Sequence, residues 1–168
     1  MFWHCRNLVN APVMRGNGGN FEEMFAGCTS LVNAPELPDI ATLDSPSDKT
    51  FKAMFSGCTS LVNGPSVITA SEINGWGCNG MFEGCVSMTH APVIMAGTIA
   101  GDGCGGMFNG CASLQYIKCL ATSHTDSTGG WVNGVSATGT FVKAASATWT
   151  SDEYGNGYPQ GWTVVNAS

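Results

Sequence analysis

The sequence predicts an α/β repeat protein, a solenoid of short helices and short strands closed by a small β-containing C-terminal cap. Three observations predict it. Met-Phe-x-Gly-Cys occurs at residues 24–28, 54–58, 81–85 and 107–111, each time followed by x-Ser-Leu or x-Ser-Met. The cysteines are 30, 27 and 26 residues apart, and a worn copy, Met1-Phe2-Trp3-His4-Cys5, lies 23 residues earlier. The segment after each cysteine also recurs: Leu8-Val9-Asn10-Ala11-Pro12, Leu31-Val32-Asn33-Ala34-Pro35, Leu61-Val62-Asn63-Gly64-Pro65 and, more loosely, Met88-Thr89-His90-Ala91-Pro92. Self-similarity at such a period marks stacked units that bury their apolar faces against one another.

Within a unit, Phe21, Met24, Phe25 and Cys28 fall at i, i+3, i+4 and i+7, the spacing of one helix face about two turns long. Phe51, Met54, Phe55 and Cys58 repeat it, and Cys78 and Cys104 replace the leading Phe in later copies. Gly27, Gly57, Gly84 and Gly110 fit a helix C-terminus, where the backbone often needs positive φ. Leu-Val-Asn-Ala-Pro is too short for a helix and reads as a strand ended by proline, which cannot donate to a ladder. Another apolar residue, Met14, Leu37, Val67 or Ile94, lies two positions past each proline. The links that follow vary in length and are rich in Gly, Ser, Asp and Thr, as surface loops are. Met24, Phe25, Cys28, Leu31 and their counterparts are expected to point inward, in about five rungs over residues 1–119, the first truncated.

Residues 120–168 read as the cap. Trp131, Val132 and Val135 suggest a short helix face. Gly139 to Lys143 and Trp162 to Val165 alternate enough to pair as two strands, joined through Gly155-Asn156-Gly157-Tyr158-Pro159. Phe141, Trp149 and Trp162 are expected to cover the last rung. No such segment precedes Met1-Phe2-Trp3, so upstream repeats or another chain are expected to meet that end.

The pattern Met-Phe-x-Gly-Cys-x-Ser-Leu, with a proline four residues after the Leu, resembles the BspA-like leucine-rich repeat proteins. The likeness covers essentially the whole chain, including a closing segment from Tyr116 through Gly161-Trp162-Thr163-Val164. It implies a right-handed leucine-rich-repeat-type solenoid. It also implies a place on the surface of gut or oral bacteria, or in a phage virion as a tail or fibre module.

Composition narrows the functional classes. Of 168 residues only 11% are charged, and the net charge is −6. Arg6, Arg15, Lys49, Lys52, Lys118 and Lys143 form no cluster, so a nucleic-acid partner is not expected. No apolar run reaches membrane-spanning length. The eight cysteines are expected to be mostly buried thiols. Those at 5, 28, 58, 85 and 111 share one slot and should stack as a column. Parallel side chains at the strand spacing of about 4.8 Å miss the Cβ separation of about 3.8 Å that a disulfide needs. A column also does not converge on one zinc ion. Cys119, outside the columns, is the expected exception.

Chemical motifs are sparse. His4 and His90 replace a Gly and an Asn of the repeat, and read as variation at surface slots. Ser123, His124 and Asp126 are adjacent, but adjacency does not make a triad. Gly101-Asp102-Gly103 offers a calcium site too few oxygens. No catalytic residue, cofactor or metal is therefore expected. The binding candidates lie on the strand face: Asn10, Asn33, Asn63, His90 and Tyr116, two positions after the Leu or its counterpart, with Trp76 on a loop. An Asn-rich face with an aromatic end suits a glycan or peptide, through amide hydrogen bonds and ring contact. The alternative role for these Asn side chains is to satisfy turn backbone. The expected function is a non-enzymatic binding or adhesion module for an extracellular protein or glycan, with a phage receptor-binding or spacer module as the alternative.

Overall fold

The strand-forming stretches lie after the prolines. In a computed structural model, which describes residues 2–14, 19–39, 50–124, 128–151 and 153–168, Val67–Ile73 forms β1 and Val93–Ile99 forms β2. Both are rich in β-branched residues, and both start just past a proline, where no ladder N–H is lost. Ile68, Ala70 and Ile73 of β1 and Ile94, Ala96 and Ile99 of β2 point inward. The two strands pair in parallel, from Val67 with Val93 to Ile73 with Ile99. These stretches, expected to be surface loops, are the longest strands among the described residues.

Four shorter strands follow: β3 at Tyr116–Cys119, β4 at Ser123–His124, β5 at Thr140–Lys143 and β6 at Thr163–Asn166. The sheet order is β1-β2-β3-β5-β6, with β4 paired to β2, and each pairing is parallel. Strands stacked in chain order, all parallel, are successive turns of one coil. The molecule is a parallel β-solenoid of about four turns, with no helix among the described residues. The expected α/β leucine-rich-repeat-type coil of short helices is thereby corrected.

The hydrogen bonds of the Met-Phe-x-Gly-Cys segment give the reason. Met24, Ala26 and Cys28 donate their N–H groups within the segment, to the carbonyls of Phe21, Glu23 and Phe25. Phe21, Glu23, Phe25 and Gly27 instead donate to Thr50, Lys52, Met54 and Ser56 of the next rung, at 2.8–2.9 Å. The same division carries residues 51–57 onto 77–83, and 78–84 onto 103–109. Alternate residues must therefore turn their N–H groups along the solenoid axis, and a helix cannot do that. Left-handed backbone achieves it. φ is +52° at Glu23, +50° at Ala53, +59° at Gly80 and +61° at Gly106, and +70° to +75° at Gly27, Gly57, Gly84 and Gly110. Two left-handed residues four apart break any right-handed helix, which needs φ near about −63° throughout, and glycine fills most of these positions because a side chain there costs about 1–2 kcal/mol. The positive φ expected of the four motif glycines is present, in a turn and not at a helix end.

The inward set follows the sequence closely. Phe25, Phe55, Phe82, Phe108, Leu31, Leu61 and Leu114 are fully buried. Met54, Met81 and Met107 are too, while Met24 is half-buried. Phe2, Phe25, Phe55, Phe82 and Phe108 form one column, with neighbouring rings 5.4–5.7 Å apart and within 11° of parallel. Those separations exceed the strand spacing of about 4.8 Å, so the rings slide past a face-to-face sandwich into the offset stack that their quadrupoles favour.

At the other end, the strands expected near residues 139–143 and 162–165 are present and paired, Thr140 with Thr163 through Lys143 with Asn166. They extend the solenoid's own sheet. The expected helix face at Trp131 is instead another turn segment. Phe108 and Gly110 donate N–H groups to the carbonyls of Trp131 and Asn133, as Phe82 and Gly84 do to Met107 and Asn109. Trp131, Phe141, Trp149 and Trp162 are buried together with the core. The Trp131 and Trp162 indole N–H groups donate to Gly157 and Ser136 carbonyls at 2.6 and 2.7 Å. Gly139 permits this packing, since a Cβ there would sit 2.5 Å from the Gln115 carbonyl oxygen and 2.7 Å from the Trp162 ring.

Candidate functional site

Because side chains alternate across a strand, the residue just before each inward position faces out at every rung. Asn10 bridges Asn33 and Asn33 bridges Asn63, in parallel, and His90 bridges Tyr116 in the same way. Tyr116 is then in register with Thr140, and Thr140 with Thr163. Asn10, Asn33 and Asn63 thus occupy equivalent outward slots, and His90, Tyr116, Thr140 and Thr163 do so in the later rungs.

The Asn amides bond to one another. Asn33 donates through Nδ2 to Asn10 Oδ1, and Asn63 to Asn33 Oδ1, both at 2.6 Å. Both roles expected for these side chains are modified by this ladder. They do not serve turn backbone, and only part of their hydrogen-bonding capacity faces solvent, since each amide keeps a second N–H. The ladder ends at Asn63, and in the later rungs His90 Nδ1 pairs with the Thr89 hydroxyl at 3.0 Å. The His90 ring lies 5.5 Å from the Tyr116 ring at an angle of 35°.

Beside this column runs a second, in which Val32 donates its N–H to the Val9 carbonyl, Val62 to Val32 and Gln115 to Thr89. Val9 and Val62 are exposed at 48% and 45%. Two residues beyond Tyr116, Lys118 faces the same side, between buried Ile117 and Cys119, and is in register with Val142. Sequence reasoning missed Lys118, Thr140 and Thr163 as members of the face. The available signal was the shared alternation of Tyr116-Ile117-Lys118 and Thr140-Phe141-Val142.

Trp76 does not belong to the ladder. It sits in the turn after β1, 43% exposed, with Lys52 Nζ 5.5 Å from its ring centre. Lys52 also pairs with Glu22 at 3.3 Å.

Ser123 donates its hydroxyl to Thr98 Oγ1 at 3.2 Å, and His124 stacks on Trp149 at 4.0 Å. Asp126 lies outside the described residues. Among the described residues, no three His, Cys, Asp or Glu side chains are grouped to hold a metal ion. No helix among them is long and apolar enough to cross a membrane.

The eight cysteines stand as free thiols, seven buried and Cys5 exposed. The expected exception, Cys119, is fully buried. It takes the inward slot in register with Ile94, because β3 continues the stack that the signature residues alone did not reveal. The repeat-slot thiols have a structural role. Cys28, Cys58, Cys85 and Cys111 each donate S–H to the Phe carbonyl of the preceding rung, Phe2, Phe25, Phe55 and Phe82, at 2.9–3.2 Å. The Phe25 carbonyl already accepts the Cys28 N–H, so the thiol uses its second lone pair. Burial pushes the thiols of Cys58, Cys78, Cys111 and Cys119 up to about 12, and those of Cys85 and Cys104 well above their usual value. Such thiols are poor nucleophiles and poor metal ligands, since the thiolate is the reactive form.

No protein-family model, curated protein or solved structure matches this chain. The likeness to BspA-like proteins therefore rests on the motif residues themselves.

Proposed function

We propose that this chain is a non-enzymatic recognition module at a bacterial surface, whose outward sheet face holds an extended extracellular ligand, a glycan or a protein segment. The observation that carries this reading is the pair of outward runs, Asn10, Asn33 and Asn63 bridged in one and His90 and Tyr116 in the other. The first repeats one outward position along the axis, and the second sets two adjacent rings beside an ammonium group, Lys118, two residues past Tyr116. A stacked sheet holds such a column rigidly, so a ligand meets it with little ordering cost. The second N–H of each Asn amide, the His90 and Tyr116 rings and Lys118 offer hydrogen bonds, ring contact and one positive charge. Buried thiols whose ionisation burial opposes, and a Ser123 hydroxyl directed at Thr98, support a binding role over a catalytic one.

The test is a glycan and peptide array, with host-cell binding, using the parent chain, Tyr116→Ser and Lys118→Gln. A buried-centre aromatic contact carries enough energy that Tyr116→Ser should weaken binding about 10-fold or more, with the melting temperature checked separately. A parent chain that binds nothing, or a Tyr116→Ser protein that binds equally well, contradicts the proposal.

A further inference from the structure

The chain contains seven Asn-Gly pairs, at Asn17, Asn63, Asn74, Asn79, Asn109, Asn133 and Asn156. Asn-Gly is the dipeptide most open to spontaneous deamidation, because glycine has no side chain to hinder its nitrogen. The Gly nitrogen attacks the Asn Cγ, the Cγ–Nδ2 bond breaks and ammonia leaves. Water then opens the succinimide at either carbonyl, giving aspartate or isoaspartate. The step needs no cofactor. It does require the Asn-Gly peptide plane to rotate, so hydrogen bonds on either side of that plane oppose it.

We propose that, of the Asn-Gly pairs among the described residues, Asn74 is the one that deamidates in the folded protein, and that the solenoid protects the others. Protection is visible at each of them. Gly80 and Gly110 donate their N–H groups to Gly105 and Asn133 of the next rung, both at 2.8 Å. The amides of Asn79 and Asn109 are held by the Asp102 carbonyl and by Glu83. Asn63 donates its amide to Asn33, and its carbonyl accepts the Ala34 N–H from the neighbouring rung. The Asn133 carbonyl, which shares a peptide plane with the Gly134 nitrogen, accepts the Gly110 N–H at 2.8 Å. Asn156 accepts the Gly130 N–H on Oδ1 and the Thr128 hydroxyl on its carbonyl. Rotation at any of these planes separates one rung from the next.

Asn74 differs in each respect. It is exposed and lies just past the last residue of β1. Its side-chain amide and the Gly75 N–H have no hydrogen-bond partner among the described residues. Its carbonyl accepts only the Gly77 N–H, at 3.0 Å, within its own turn. That turn opens without parting the rungs, and local openings occur at much lower free energy than openings of the core. The product places a carboxylate two residues from Trp76, whose ring faces Lys52.

The experiment is peptide mapping by mass spectrometry on the intact protein, aged at body temperature in mildly alkaline buffer below the onset of thiol ionisation. A denatured sample and Asn74→Gln serve as controls. In the folded protein Asn74 should convert at least about tenfold faster than Asn79 or Asn109, since it needs only local opening, and the sites should convert at similar rates in denaturant. Asn74→Gln should remove the early conversion from the peptide that contains residue 74 and leave the melting temperature unchanged. The proposal is overturned if Asn79 or Asn109 keeps pace with Asn74 in the folded protein, or if Asn74 stays intact while the denatured chain converts it.

Discussion

Raising the pH above about 9 should unfold this protein within one to two units. Cys58, Cys78, Cys111 and Cys119 have an ordinary value of 9.0, and burial raises it to about 12 in the fold. The sign follows from proton counting. Below pH 9 both states keep the proton and the contribution is complete. Between 9 and about 12 the unfolded chain releases protons that the folded chain retains, so stability falls as pH rises. Each thiol removes about 1.4 kcal/mol per pH unit, and four together about 5–6 kcal/mol per unit. Domains have a total of about 5–15 kcal/mol, so little stability survives near pH 11. Urea midpoints measured across this window test the prediction. A midpoint unchanged from pH 8 to 11 contradicts it. Thiol counting gives an independent reading: at neutral pH Cys5 alone should react quickly, and the seven buried thiols only on unfolding.

Phe82→Ala should destabilise the fold by about 3–5 kcal/mol, the usual cost of truncating a buried aromatic. Phe82 sits mid-column, with Phe55 at 5.5 Å on one side and Phe108 at 5.7 Å on the other. Both neighbouring rings lose a partner, and a stack confined between rungs cannot collapse sideways to fill the gap. Phe82→Leu keeps most of the volume and should lose less, which provides a measurable variant if the alanine protein does not fold. Denaturant unfolding that places Phe82→Ala within 1 kcal/mol of the parent would mean that the column does not carry the core.

The repeat itself, the inward residues, the motif glycines and the outward column were all readable from sequence, because each depends only on position within a recurring unit. The backbone path was not. Phe21, Met24, Phe25 and Cys28 have the spacing of a helix face, yet a rung corner with alternating right- and left-handed residues produces the same spacing. The clue lay five residues before each cysteine. Gly80 and Gly106 occupy that slot in two copies, in the middle of what should have been a helix, but Glu23 and Ala53 occupy it in the others and hid the requirement for positive φ. The prolines misled in a similar way. Pro65 and Pro92 read as strand ends in the sequence, yet each stands before a strand and removes no ladder bond. The alternation in Val67-Ile68-Thr69-Ala70 and Val93-Ile94-Met95-Ala96 was the available signal. The inward place of Cys119 is not legible in the motif, because its column is made by β3 pairing with β2, a long-range contact that the motif does not encode. The outward column was legible as positions, but its hydrogen bonds were not. Two Asn side chains at neighbouring rungs can serve turns, a ligand or each other, and only the rung spacing selects the last.

The Met-Phe-x-Gly-Cys segments are rungs of a β-solenoid and not helices. The most direct test is NMR scalar coupling across hydrogen bonds, read from the Phe25 amide nitrogen. A β-solenoid gives coupling to the Met54 carbonyl carbon, across a rung-to-rung bond of 2.9 Å. Coupling to the Phe21 carbonyl carbon, the partner four residues earlier that an α-helix requires, would contradict it.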